Sequence, residues 1–514
     1  MISCLENKAP AARLRDALKR LDAGEITSAE VLAVLTPDEV HQLASPHVAA
    51  PGAPVAVGVS LAGGVGTGEL VDVTALMVAS RRPPFVVRCE RITNDMLSRA
   101  DSISAIVTTG EDSSSHAVIV ARSLGLPVVR IDVAELDQVL PGAVTVDGTA
   151  GMVYAGVAGL VQPEWPRELH RLLDLAVGSS AVAIFANADQ PSEIAHAVRV
   201  HGRGFEPRLE HLMITGSGLR SLRCALFATG AERDKHLDQL RTELVSALTR
   251  MYAATSGLPL YLRLLDPPEH EFVPPDHEVD DFAVALGVPA GTLRSQLAAA
   301  REVNPMMGCR GARLLLIKPD LVDVQVDAIF EALTSVPSAG PAHITLPMIT
   351  DANEVIALRR LIAAAASRRP AAANLKVGVM IETPRAALLA HTLAPYVDYM
   401  CFGTNDLTAQ TFGLSRGDVF DKFLTTYLRE GIYQADPFAE LDTAVRELID
   451  ICIERSRAAN PDLTFTICGE QAADRRIIEF AFARGIDALA VPVGLIPAMT
   501  VAAAQHTFIK EVQP

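Results

Sequence analysis

From residue 181 onward, short apolar runs alternate with longer segments of helical periodicity, and the pattern recurs eight times. The runs are Ala181–Ala186, Gly204–Leu209, Pro259–Leu265, His343–Met348, Lys376–Glu382, Tyr399–Thr404, Thr464–Glu470 and Ala488–Val493. Strands separated by helices are joined by crossovers, which make them parallel and cover them on the outside. Eight βα units in about 330 residues predict a TIM barrel, (β/α)8, with insertions. A doubly wound open sheet is the alternative reading of the same pattern. Gly204–Leu209 is the poorest of the eight runs.

A barrel collects its chemistry at the carboxyl ends of its strands. The polar residues at those positions are Asn187, Arg208, Arg263 with Asp266, Glu382, Asn405 with Asp406, and Cys468. Two runs end abruptly. Val377-Gly378-Val379-Met380-Ile381 leads into Glu382, and Tyr399 to Phe402 leads into Gly403-Thr404-Asn405-Asp406. Two strand-end carboxylates and a carboxamide are hard oxygen ligands suited to magnesium. Arg263 precedes a proline-fixed turn, and Arg310 and Arg313 lie in Asn304–Arg313. Guanidinium forks are shaped to hold a carboxylate or phosphoryl group. Cys468 ends an apolar strand; such a thiol is often only packing, but beside a metal-held enolate it can donate a proton. Metal-assisted chemistry on a small oxyanion is the expectation.

Residues 55–157 are rich in Val, Ile and Gly, and they predict a small α/β domain. Its candidate strands are Pro84–Val87, Ala105–Thr108, Val128–Ile131 and Val144–Val146, with helices after Asn94 and His116. Ser113-Ser114-Ser115-His116 is a polar loop entering a helix, where backbone N–H groups favour a phosphate. His116 reads either as a phosphate carrier or as a capping, solvent-exposed histidine. Ahead of this domain, Leu14, Leu18 and Leu21 recur at helical spacing, and Thr27 with Glu30 and Thr36 with Glu39 have capping-box spacing. Ser45–Pro54 reads as a linker. The expected partition is a helical linker over 1–50, the small domain over 51–157, a connection over 158–180 and the barrel over 181–514.

The net charge of −16 argues against general binding to nucleic acid or an anionic membrane. Seven scattered cysteines, never spaced C-x-x-C, read as neither a disulfide framework nor a zinc site, and a reducing cytoplasm is expected. No apolar leader is apparent near Glu6 and Lys8. The apolar stretch Ala488–Ala504 is interrupted by Pro492, Gly494 and Pro497 and falls short of a membrane span.

Taken together, Ser113–Arg122, Arg263–Pro274, Asn304–Leu314, Met380–Ala387, Phe402–Arg416 and Ile467–Glu470 resemble successive motifs of the pyruvate phosphate dikinases. These belong to the PEP-utilising enzyme family, with phosphoenolpyruvate synthase and the sugar phosphotransferase-system enzyme I. The resemblance runs over nearly the whole chain, and Ala11–Pro46 is similar to the dikinase linker. It implies a swivelling phosphohistidine domain and a dimerising barrel that binds phosphoenolpyruvate and pyruvate. His116 would carry the phosphoryl group, and Glu382 and Asp406 would bind Mg2+. Arg208, Arg263 and Arg310 would neutralise phosphoryl and enolate charge, with Gly403, Thr404 and Asn405 also at the substrate. Cys468 would protonate or deprotonate the methyl carbon.

The chain departs from the family pattern at several places. Glu111 and Asp112 replace paired glycines before His116. Cys309 replaces a histidine, Gln471-Ala472-Ala473 replaces His-Gly-Gly, and Val491–Pro497 lacks an arginine. The ATP-grasp nucleotide domain is expected to be lacking here, and Gly63–Gly68 has no P-loop lysine, so either a separate protein would supply ATP chemistry or only the barrel half-reaction would survive. Alternatives are a phosphotransferase-system initiator and a non-catalytic regulatory paralogue.

Overall fold

The computed structural model describes residues 10–44, 47–48, 52–78, 84–93, 96, 102–110, 118, 121, 126–132, 142–158, 160–161, 167–214, 218–266, 272–274, 276–302, 304, 307–368, 375–415, 423–438 and 440–512. They fall into two compact units, one mainly from residues 34–171 and the other mainly from 172–415 and 440–514. The segment Glu111–Arg122, apart from Val118 and Ala121, lies outside the described residues, and His116 with it. Among the described residues no helix is long and apolar enough to cross a membrane.

The first unit is built on an eight-stranded mixed sheet. Its spatial order is Ala56–Val57, Met152–Ala155, Ala143–Asp147, Val65–Asp72, Phe85–Cys89, Ile103–Thr108, Val128–Arg130 and Val59–Ala62. Four central strands, from Val65–Asp72 to Val128–Arg130, are parallel, and the flanking pairs are antiparallel. Apolar clusters cover both faces, around Phe85, Val87 and Ile106 on one and Val86, Val107 and Val146 on the other. The glycine-rich segment is a strand and not a loop. A Cβ on Gly66 would stand 1.9 Å from the Ser104 carbonyl oxygen, so the residue is small because another backbone crosses it closely.

The second unit holds seven parallel strands, labelled β1 (Ala183–Asn187), β2 (Leu260–Arg263), β3 (Ala342–Leu346), β4 (Lys376–Ile381), β5 (Tyr399–Gly403), β6 (Thr464–Cys468) and β7 (Ala488–Pro492). The sheet runs β1-β7-β6-β5-β4-β3-β2. The gap between β1 and β2 is filled by residues 204–208. Phe205 forms parallel bridges to Ala186 and Leu260, and Arg208 bridges to Arg263. Ala186 N–H donates to Gly204 O and Glu206 N–H to Ala186 O, both at 2.9 Å; Tyr261 N–H donates to Phe205 O at 2.8 Å. These bonds close the ring, and the open-sheet alternative falls. The eighth stave is shorter than a regular strand because Pro207 has no N–H to continue the ladder.

Strand parity decides which side chains face the interior. At the amino-terminal end, Phe185, Tyr261, His343 and Tyr399 stack on one another, and Thr345 Oγ lies 2.7 Å from the Tyr399 hydroxyl. Apolar residues that point outward, such as Leu262, Ile344, Val379, Phe402 and Phe465, are buried under the surrounding helices. Two steps further along β4 and β5, the same inward parity delivers Glu382 and Gly403 to the carboxyl-terminal mouth.

Candidate active site

Three carboxylates meet at that mouth. Asp266 follows β2, Glu382 follows β4, and Asp406 lies in the first turn of the helix Thr404–Phe412 after β5. One oxygen from each lies within 4.8 Å of the others. The sequence reading placed magnesium on Glu382 and Asp406, and the fold brings those two together. Asp266 as a third member was missed. Its only signal was its place three residues after Arg263 at a strand end.

Arg310 is clamped across the cluster. Its Nε and Nη2 donate to the two Asp266 oxygens at 3.2 and 2.6 Å, and Nη1 donates to Asp406 Oδ1 at 3.2 Å. Arg263 pairs with Glu210, and its Nη1 lies 3.5 Å from Asp266 Oδ2. Burial alone would raise the Asp266 carboxyl, but Arg263 and Arg310 outweigh it and hold the group below its ordinary value. At Glu382 the same two arginines pull the carboxyl down but are outweighed. Burial, then repulsion from Asp266 and Asp406, pushes its carboxyl up to about 8. Its Oε1 accepts from Met348 N–H at 2.5 Å, and Met348 adopts a left-handed φ of 53°. Non-glycine residues rarely take that conformation, and it is stored here beside the carboxylate cluster.

Four carboxylates (Glu210, Asp266, Glu382, Asp406) therefore share two guanidiniums among the described residues. A buried acid held up to about 8 marks a shortage of positive charge. Hard oxygen donors at this spacing suit a divalent cation such as Mg2+. The site residues fit that ion.

The remaining expected residues divide into two groups. Gly403 lies against Glu382: a Cβ there would stand 3.0 Å from Glu382 Oε2 and equally near the Met380 thioether. Thr404 Oγ is committed to the Cys468 carbonyl and Gln471 Oε1, at 2.9 and 2.6 Å, so it fixes the turn after β6. Asn405 Oδ1 accepts from Glu470 N–H at 3.1 Å. Arg208 is turned to Asp189, which also faces His211 at 2.9 Å. Burial opposes ionisation of Asp189, but Arg208 and His211 prevail and hold the carboxyl far below its ordinary value. Cys468 points into the barrel beside Cys401, with their Sγ atoms 3.5 Å apart. Glu206 faces Cys401 from the eighth stave. Cys401 was missed because no single strand shows what its neighbour sets beside it, and Glu206 because its link to the two thiols exists only once the ring closes.

Comparison with known proteins agrees with this layout. The family model described as the PEP-utilising enzyme, PEP-binding domain, matches residues 166–508, and that of the mobile domain matches residues 82–151. The chain is similar to pyruvate, phosphate dikinase of Rhizobium meliloti, 33% identical over 96% of this chain and 58% of the relative. It is 32% identical to that of Rickettsia bellii over 96% of this chain and 59% of the relative. It is 31% identical to pyruvate, phosphate dikinase 1, chloroplastic, of Arabidopsis thaliana over 98% of this chain and 56% of the relative. The chain thus spans less than two thirds of the length of the curated relatives it matches. With a barrel whose mouth gathers acids and arginines, and with family models that match both units, the chain belongs to the PEP-utilising enzyme family.

Proposed function

We propose that this chain moves a phosphoryl group between phosphoenolpyruvate and His116, with pyruvate as the other product. The convergence of Asp266, Glu382 and Asp406 with Arg263 and Arg310 at one barrel mouth carries the reading. The names of the relatives support the same substrates. Residues 51–157 would be the carrier domain and 181–514 the substrate barrel, with 1–50 and 158–180 as connections.

Glu382 and Asp406 would hold Mg2+, with Asp266 within reach as a third ligand. When bound, the ion supplies positive charge to the substrate carboxylate and to the enol oxygen as negative charge develops there. Arg263 and Arg310 neutralise the phosphoryl oxygens; phosphoryl transfer depends chiefly on such positioning and charge stabilisation. The P–O bond to the enol oxygen breaks and a P–N bond to the His116 imidazole forms. Asn405, whose Oδ1 is engaged by Glu470, keeps its Nδ2 donors for the substrate. Cys468 then delivers its proton to the methylene carbon of the enolate to give pyruvate, and removes a methyl proton in reverse.

The test is incubation of the purified protein with phosphoenolpyruvate and Mg2+, with measurement of pyruvate and of acid-labile phosphate on His116. The methyl protons of added pyruvate should also exchange with solvent. Cys468→Ala should abolish the exchange while Mg2+ still binds, and His116→Ala should leave it intact. Exchange unaltered in Cys468→Ala would show that this thiol is only packing.

A further inference from the structure

Below the carboxylate mouth lies a second cluster of different chemistry. Glu206 from the eighth stave, Cys401 from β5 and Cys468 from β6 all point into the barrel. Cys401 Sγ lies 3.5 Å from Cys468 Sγ and 3.6 and 3.8 Å from the two Glu206 oxygens. One ligand atom from each lies within 4.8 Å of the others. In a tetrahedral site with Zn–S near 2.3 Å and Zn–O near 2.0–2.2 Å, ligand atoms stand about 3.5–3.8 Å apart. The two edges that meet at Cys401 have those lengths, and a Glu206 oxygen lies within 4.8 Å of Cys468 Sγ.

Two further observations point to a ligand. Thr466 is 3% exposed, and its Oγ lies against both Glu206 and Cys401, so a further oxygen lines the cluster. Met380 Sδ sits 3.7 Å from Cys468 Sγ and adds a soft thioether. A disulfide fits less well. Cys401 pairs with Thr466 and Cys468 with Gly403, so the cysteines are diagonal neighbours on their strands. Diagonal neighbours on a sheet face stand about 7–8 Å apart at the backbone, beyond the usual disulfide reach of about 6.8 Å.

We propose that Glu206, Cys401 and Cys468 form a binding site for a thiophilic divalent cation of the zinc class, separate from the hard-oxygen site above it. Glu206 and Cys468 are partly exposed, which gives an entry path, and Cys401 is buried behind them. An ion here occupies the Cys468 sulfur as thiolate and removes it from proton transfer. Zinc therefore inhibits and a chelator restores. That consequence rests on the role assigned to Cys468 above; the binding site itself does not.

The test is titration of the full chain with Co2+ in saturating Mg2+, followed by displacement with Zn2+. One equivalent should give tetrahedral cobalt bands and a thiolate-to-cobalt charge-transfer band. Cys401→Ser, which keeps the Cys468 thiolate, should weaken the band and bind zinc more than about 100-fold more weakly, since losing even an outer-shell partner costs about 10–100-fold, and the double variant Cys401→Ser/Cys468→Ser should lose the band. Glu382→Gln should keep the band, because it alters only the mouth. Absence of a thiolate band in the parent protein, or its persistence in the double variant, overturns the proposal. A band with methyl-proton exchange unaffected keeps the metal site and refutes the catalytic role of Cys468.

Discussion

His343 provides a quantitative test of the closed barrel, at the end opposite the mouth. It begins the inward row of β3, stacks on Tyr261 with ring centres 4.2 Å apart, and meets Tyr399 edge-on at 5.8 Å. It is 5% exposed, and its buried Nδ1 has no hydrogen-bond partner among the described residues. Burial, reinforced by Lys376 opposite it on β4 and opposed by Asp398, lowers its pKa from 6.5 to about 4. Between those values the unfolded chain binds the proton and the folded chain does not. Stability therefore rises with pH across the window: the contribution is fully present above 6.5 and is lost as pH falls toward 4. A gap of 2.5 units (6.5 − 4) corresponds to about 3.4 kcal/mol in full, of which about 2 kcal/mol is lost by pH 5. His343→Phe keeps a ring in the slot and removes the titration. The assay is urea unfolding at pH 7.5 and pH 5, read by hydrogen exchange of peptides covering β2 to β5 so that the barrel is followed separately from the first unit. The variant should lose about 2 kcal/mol less than the parent between the two pH values. Equal losses in both proteins would refute a buried neutral imidazole.

Three further outcomes probe the mouth. Arg310→Met strands Asp266 and Asp406 without their shared guanidinium, and breaking a buried pair in this way costs about 3–5 kcal/mol; a loss under about 1 kcal/mol by denaturation would mean that water already screens the clamp. Gly403→Ala sets a Cβ against Glu382 and Met380, so overpacking should cost about 1–3 kcal/mol and weaken Mg2+ in a calorimetric titration, whereas parent-like affinity would show that Glu382 does not need that space. Mg2+ at 100 times its dissociation constant should stabilise the barrel by about 2.7 kcal/mol, a gain that a chelator reverses and that Glu382→Gln abolishes; a chelator effect surviving in Glu382→Gln would place the ion elsewhere.

What the sequence revealed was local, and what it hid was relational. Thr36 and Glu39 cap the helix Pro37–Ala44 as their spacing predicted: Thr36 N–H donates to Glu39 Oε2 at 2.9 Å and Glu39 N–H to Thr36 Oγ at 3.2 Å. Glu382 and Asp406 were legible because each follows an abrupt apolar-to-polar change, which marks a strand end without reference to any distant residue. Val65–Asp72 was hidden because Gly66 and Gly68 look like a loop until another backbone is seen lying over them.

Glu206 is the instructive case. Parity within 204–208 is readable from the sequence: Phe205, fully buried, points outward, so Gly204, Glu206 and Arg208 point inward. Parity also places Cys401 on the same side of β5 as Gly403. It cannot say that Glu206 and Cys401, 195 positions apart in the chain, lie at the same height. That height is set by the stagger between staves, which a closed barrel fixes through its hydrogen-bond register and which no single strand encodes. The bonds of Phe205 and Glu206 to β1 and β2 supply that register here, and through it they bring a carboxylate and two thiols to one point. A substitution that slipped this short stave by two residues would keep every side chain facing the same way. It would also set Arg208 or Gly204 where Glu206 now stands, leaving the fold class intact and the second cluster gone.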